Sequence, residues 1–130
     1  MENMNCPFCH PEPREVILGY QSWYARWDKY PVNKGHLLII SQRHIKSYFE
    51  TTQEEKHAML EIIEKCKSLL DRDFHPDGYN IGTNVGSAAG QTIMHLHIHL
   101  IPRYKGDIDD PRGGVRGVIP EKRIYEEQPS

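Results

Sequence analysis

The pattern of apolar and polar positions marks one long helix set among short strands. Val16-Ile17-Leu18 and Trp23-Tyr24-Ala25 read as two strands with a turn near Gly19–Ser22. Tyr30-Pro31-Val32-Asn33-Lys34-Gly35 is dense in turn formers and predicts a loop. The mostly apolar run His36-Leu37-Leu38-Ile39-Ile40 then predicts a central strand. Thr51 or Thr52 is placed to cap a helix, with Glu54 and Glu55 in the first turn, where carboxylates meet the positive end of the helix dipole. Met59, Ile62, Ile63, Cys66, Leu69 and Leu70 recur at helical spacing, so the helix runs from about Thr52 to Asp73 and buries one stripe. Pro76-Asp77-Gly78 predicts a turn, Tyr79-Asn80-Ile81-Gly82-Thr83 a short strand, and Val85 to Gly90 a loop of small residues. His95 to Pro102 is the last strong strand. From Lys105 onward Gly, Pro and charge predict little regular structure. Strands, one long helix and further strands imply an α+β fold, an antiparallel sheet packed on the helix.

Composition narrows the class. The 130 residues fit a single domain, 1–130, with about 103–130 as a C-terminal tail. The hydrophobic share of 38% and charged share of 26% are those of an ordinary soluble protein. A net charge of −2 argues against long nucleic acid as a partner, so an anionic ligand needs a local positive site. No apolar run approaches a membrane span. Met1-Glu2-Asn3-Met4-Asn5 leads into Cys6 without an apolar stretch, so no secretory signal and a cytoplasmic location are expected.

The run His95-Leu96-His97-Ile98-His99 carries the candidate chemistry. Side chains alternate along a strand, so three imidazoles line one face while Leu96, Ile98 and Leu100 line the other. One histidine alone reads as a solvent-facing residue. Three in strict alternation after a glycine-rich loop point to a site, because each ring is costly to bury without a partner. Two uses stand open: three imidazoles on one catalytic metal, or one imidazole attacking phosphorus while its neighbours stabilise charge.

Gly90-Gln91-Thr92-Ile93-Met94-His95-Leu96-His97-Ile98-His99-Leu100-Ile101 resembles the signature of the histidine-triad (HIT) superfamily of nucleotide hydrolases and transferases. Gly35 with the strand His36 to Ile40, and the order of elements, resemble that family too, from about Cys6 to Pro120. The resemblance implies a five-stranded antiparallel sheet with one long helix, and a homodimer with one continuous sheet. It implies that His97 attacks the α-phosphorus and forms a nucleotidyl-histidine, which water then releases. By the same resemblance His99 and His36 contact the phosphate or support the nucleophile. Asn84 and Thr92 lie near phosphates and leaving group, Gln91 holds the loop, and Asp28 meets ribose hydroxyls. Asn84 reads equally well as a turn residue, and Asp28 as an exposed one. The superfamily's sugar-phosphate nucleotidylyltransferases resemble His-Pro-His-x-Gln; Leu96 and His99 depart from that, which favours hydrolysis over transfer. A purely nucleotide-binding module is the non-enzymatic rival.

Cys6-Pro7-Phe8-Cys9 reads in three ways: free thiols, a redox pair, or half of a metal site. No strand precedes it as a thioredoxin-like motif requires. Some bacterial HIT proteins carry such a pair and complete a zinc site with two histidines, and the resemblance places these at His44 and His95, a structural zinc. His10 is a substitute ligand of poor geometry. Cys66 reads as core, and His57 and His75 as surface. Trp23, Tyr24 and Trp27 are candidates for a base pocket or for packing, and Arg43, Arg103 and Tyr104 for anion contacts or plain surface. The tail with Pro111-Arg112-Gly113-Gly114-Val115-Arg116 resembles the bacterial diadenosine-polyphosphate hydrolase-like subgroup, and wrapping of a partner subunit and wrapping of the substrate both stand open for it.

Overall fold

The computed structural model describes residues 5–125. The reading of the first four residues as lacking a signal, and the last five residues of the tail, lie outside the described residues. Five strands form one antiparallel sheet: β1 (Leu18–Tyr20), β2 (Trp23–Trp27), β3 (Leu37–Ser41), β4 (Gly78–Gly82) and β5 (His97–Arg103), in the order β1-β2-β3-β5-β4. A single long helix, α1 (Gln53–Phe74), connects β3 to β4.

The helix begins where the side chains can satisfy its unpaired amides. Thr52 accepts the Glu55 amide, and Glu55 reaches back to the Thr52 amide at 2.8 Å. At the other end His75 takes the left-handed conformation (φ 50°), and Pro76 cannot continue the turn. The buried stripe Ala58, Ile62, Cys66, Leu70 packs on Trp23, Ala25, Leu37, Ile39, Ile98 and Leu100 of the sheet. All five residues of β3 are buried, because its second face is covered as well. There Phe8 of the N-terminal segment packs with Tyr24, Leu38 and Ile40. The register pairs Leu38 with His99 and Ile40 with His97, so the histidines stand on that second face, away from the helix.

Several boundaries differ from the sequence expectation: β2 runs on to Trp27, and β4 begins at Gly78, which the pattern of turn formers places in the turn. The first strand lies two residues later, since Gln21 adopts φ 51° and makes the turn tighter. His36 precedes β3. His95 and Leu96 precede β5: the Leu96 amide donates to the Ile45 carbonyl at 2.7 Å, which draws the chain away from the regular ladder. The tail holds two short helical turns, Gly114–Val118 and Pro120–Lys122.

Gly35 sits where the loop crosses the helix end. Its φ is +85°, and a Cβ there would lie 3.1 Å from Leu70, 3.2 Å from Pro102 and 3.3 Å from Phe74. Gly35→Ala is expected to destabilise the fold by about 1–3 kcal/mol through both strain and crowding. Urea unfolding reads this directly; unchanged stability would contradict the packing.

Candidate active site and metal-binding group

Two groups of side chains meet at the start of β5. In the first, Cys6, Cys9, His44 and His95 place one donor atom each within 4.8 Å of one another. Cys9 Sγ lies 3.1 Å from His44 Nδ1 and 3.5 Å from His95 Nδ1, and Cys6 Sγ lies 3.2 Å from His95 Nδ1. The two Nδ1 atoms are 3.0 Å apart. A tetrahedral zinc with its usual bond lengths sets such donors about 3.3–3.8 Å apart, close to this arrangement. The outer geometry fits as well. His95 Nε2–H donates to the Ser41 carbonyl at 2.7 Å, so Nδ1 keeps its lone pair for an ion. The Phe8 amide donates to Cys6 Sγ at 3.4 Å and helps to fix its position. The four residues therefore suit a closed metal site, and His10 stands outside the group.

In the second group, Asp28 just after β2, His36 just before β3 and His99 of β5 converge. His36 Nε2 lies 2.9 Å from His99 Nδ1 and 3.3 Å from Asp28 Oδ2. The proton positions follow from the backbone. The Val32 amide donates to His36 Nδ1 at 3.0 Å, so the neutral ring carries its proton on Nε2. That proton is donated to His99 Nδ1, and His99 then presents Nε2–H outward. Although these three donors are also clustered, His36 offers a proton where an ion would need a lone pair. The second group is thus a hydrogen-bond relay rather than a metal site.

His97 lies between the two groups. Its Nδ1–H donates to the His95 carbonyl at 2.7 Å. Nε2 then keeps its lone pair, the form needed for attack at phosphorus. The ring is held edge-on by Phe8 at 5.1 Å and by His99 at 5.4 Å between centroids. The three histidines of the run do not share one metal: His95 turns its Nδ1 to the cysteines, while His97 and His99 form no such group with it among the described residues.

Burial holds His36 and His99 neutral. It pushes the His99 pKa down to about 4, with the neighbouring His97 and His36 lowering it further, and it lowers His36 despite Asp28. For a histidine whose folded pKa is depressed, stability is fully present above the unfolded value near 6.5 and is lost as pH falls toward the folded value. The protein is expected to lose roughly 3 kcal/mol between pH 6.5 and 4 from His99 alone. A melting series over that window checks it: His99→Asn should flatten the slope, and an unchanged slope would contradict it.

The other candidates divide. Buried Gln91 holds the loop, donating to the Lys46 and Ile93 carbonyls and accepting the Gly86 amide at 2.9 Å. Thr92 is exposed and lines a cleft with Cys6, Pro7 and His44, beside the cysteine group rather than beside His99. Asn84 is exposed in the loop. Its neighbour Thr83 instead reaches the strand, donating to the His97 carbonyl at 2.8 Å. Trp23 and Tyr24 are buried packing residues, and Trp27 stands against Phe74 of the helix. Arg43 is bound to Glu55, and Arg103 to Asp107 and Asn80. Sequence reasoning missed Phe8, although its position between two cysteines marked it. It also missed Arg26, buried on the histidine face and paired with Glu15.

The fold and this face define a small α+β protein with a row of histidines beside a group of two cysteines and two histidines that could hold a metal ion. The HIT domain family model matches residues 11–106, and the chain belongs to that family. It is 35% identical to an uncharacterized HIT-like protein of Methanocaldococcus jannaschii, over 78% of this chain and 81% of that one. It is 33% identical to the AP-4-A phosphorylase of Mycobacterium tuberculosis over 65% of this chain, which spans only 44% of that protein. A bis(5'-nucleosyl)-tetraphosphatase [asymmetrical] of Schizosaccharomyces pombe is 34% identical over 62% of this chain and 44% of its own length. Among solved structures, a Zn-bound histidine triad family protein from Mycobacterium smegmatis superposes with a TM-score of 0.70 at 31% identity, covering 80% of this chain and 78% of that one.

Proposed function

We propose that the chain is a nucleotide hydrolase acting at the α-phosphate of nucleoside polyphosphates or phosphoramidates, dinucleoside polyphosphates first among them. The observation that carries this reading is the hydrogen bond from His97 Nδ1 to the His95 carbonyl, which leaves Nε2 as a nucleophile. His97 Nε2 forms a bond to the α-phosphorus as the bond to the leaving group breaks, and the leaving group departs with the electron pair. His99 Nε2–H stabilises the charge developing on the phosphoryl oxygens, and His36 holds the ring that donates it. Water then attacks phosphorus, the P–N bond breaks, and the monophosphate is released with the His97 lone pair restored. Asp28 accepts from the ribose hydroxyls, Asn84 and Thr92 serve the leaving-group side, and Gln91 keeps their loop in shape.

Cys6, Cys9, His44 and His95 hold a structural zinc, a reading supported by the donor geometry and by the Zn-bound relative. The protein works as a homodimer in the cytoplasm. None of the described helices is long and apolar enough to cross a membrane.

Phosphorolysis is the second reading, favoured by the AP-4-A phosphorylase relative. One experiment separates them: diadenosine tetraphosphate is incubated in 18O-labelled water with and without inorganic phosphate. Hydrolysis yields AMP carrying the label at phosphorus, independent of phosphate. Phosphate-dependent ADP in its place identifies phosphorolysis. No product under either condition rejects both.

A further inference from the structure

Arg26 is a charged side chain buried on the histidine face, 4% exposed, and no role above uses it. A buried guanidinium is costly unless it is paired, and Arg26 meets the Glu15 carboxylate. Tyr24, two residues back on the same strand, is buried as well. Side chains alternate along β2, so Tyr24 and Arg26 share the face turned away from the helix, while Trp23 and Ala25 join the core beneath it. The register carries both residues across the sheet. Tyr24 pairs with Ile40 and Ile40 with His97; Arg26 pairs with Leu38 and Leu38 with His99. Each row thus begins with a polar side chain of β2 and ends on a histidine of β5.

Phe8 bridges the two ends of these rows. Two strand spacings, about 10 Å, separate β2 from β5. The buried Phe8 ring packs on Leu38 and Ile40 in between. Its edge contacts reach His97 at 5.1 Å and His95 at 5.9 Å between centroids. On the β2 side its backbone is gripped. Tyr24 donates its hydroxyl to the Phe8 carbonyl at 2.6 Å. Arg26 Nη1 stands 3.5 Å from the Pro7 carbonyl, and Arg26 Cζ lies 5.8 Å from the centre of the Phe8 ring, within cation–π reach. Burial pushes the Tyr24 pKa up to about 12, so the hydroxyl keeps the proton it donates. A tie through the Cys6 and Cys9 sulfurs holds the two ends of the turn and leaves the tilt of the ring between them unset.

We propose that Tyr24 and Arg26 are positioning residues for the phosphoryl transfer: they set Phe8, and Phe8 sets the tilt of the His97 ring that aims Nε2. The proposal rests on the hydrolase reading, with His97 as nucleophile. The His95 carbonyl selects the His97 tautomer, yet a single hydrogen bond to Nδ1 leaves the ring able to swing about it. Phe8 and His99, both in edge contact with the ring, restrict that swing. In-line attack tolerates little misdirection, since a misplacement of about 1 Å costs about 10²-fold. Tyr24 and Arg26 are themselves buried. Their loss therefore reaches the reaction through Phe8, and lowers kcat rather than raising KM.

Two variants test it: Tyr24→Phe deletes one hydroxyl and keeps the packing, and Arg26→Met keeps most of the side chain's length without its charge. For each, kcat and KM are measured for diadenosine tetraphosphate, and zinc per chain by elemental analysis. The His97 tautomer is read by long-range 1H–15N NMR of the imidazole at about pH 8, above the ordinary histidine range. In both variants kcat should fall about tenfold, with KM within about twofold of wild type and zinc content unchanged. The Nδ1–H form of His97, dominant in wild type, should lose population to the Nε2–H form. Unchanged kcat and tautomer in both variants overturn the proposal. So does a rise in KM at constant kcat, which would make the grip part of substrate binding. A kcat loss that comes with loss of zinc also overturns it, assigning the effect to the metal group. If wild type turns over no diadenosine tetraphosphate while the tautomer still shifts in the variants, the positioning role stands and the hydrolase reading fails.

Discussion

His97→Ala should lose turnover of diadenosine tetraphosphate by about 10⁴-fold or more while the protein stays folded. No neighbouring group can substitute. His95 turns Nδ1 toward the two cysteines, and its Nε2–H is bound to the Ser41 carbonyl. His99 has Nδ1 engaged by His36, so its outward nitrogen carries a proton instead of a lone pair. The ring of His97 is only half-buried and makes edge contacts with Phe8 and His99, so its removal costs little packing. Loss of His99 is expected to be milder, about 10²–10³-fold in kcat, because it removes one charge-stabilising donor and leaves the bond-forming atom in place. Rapid quench into neutral denaturant, followed by intact-mass measurement, should show wild type carrying one added nucleotidyl group on His97. Turnover surviving in His97→Ala at more than about one per cent of wild type would sink the covalent mechanism.

Cys9→Ser should release the metal and lower the melting temperature by about 10 °C, on the order of 3 kcal/mol. Cys9 Sγ is the atom that faces both His44 and His95, and His95 is fully buried. Two imidazole nitrogens stand 3.0 Å apart beside two sulfurs, a packing of donors that a bound ion would hold together. The same change should lower kcat, because the His95 carbonyl sets the His97 tautomer and Phe8, between the two cysteines, braces the ring. Wild type should carry one zinc per chain by elemental analysis. A chelator should bring its melting curve to that of Cys9→Ser and leave the variant's own curve unmoved. Retention of metal and melting temperature in Cys9→Ser would refute this assignment.

Much of this was legible from local pattern. The helical stripe through Ile62, Cys66 and Leu70 and the alternation through His97, Ile98 and His99 each report a period that backbone geometry imposes. The capping box at Thr52 and Glu55 is likewise a four-residue event. Harder to read were Phe8, whose role depends on the strand it lands on, and the tail, whose turns are closed by glycines and arginine-to-carbonyl bonds with no apolar period to announce them. Neither the anion-contact nor the plain-surface reading of Arg43 and Arg103 foresaw Glu55 and Asp107, which bind them.

The three histidines 95, 97 and 99 illustrate the division. The sequence settled that they belong together, with His97 and His99 on one face of β5 and His95 just before it, because alternation is a property of the extended chain alone. It also offered metal binding as one reading of the N-terminal cysteine pair, completed by the family resemblance. What each ring does was decided by the tertiary structure, since the proton on an imidazole is placed by whatever lies opposite its other nitrogen. The Ser41 carbonyl gives His95 to the cysteines, the His95 carbonyl frees Nε2 of His97, and the Val32 amide, acting through His36, makes His99 a donor. Two of these partners come from distant parts of the chain, brought beside β5 by strand pairing, and no local pattern in the histidine run contains them.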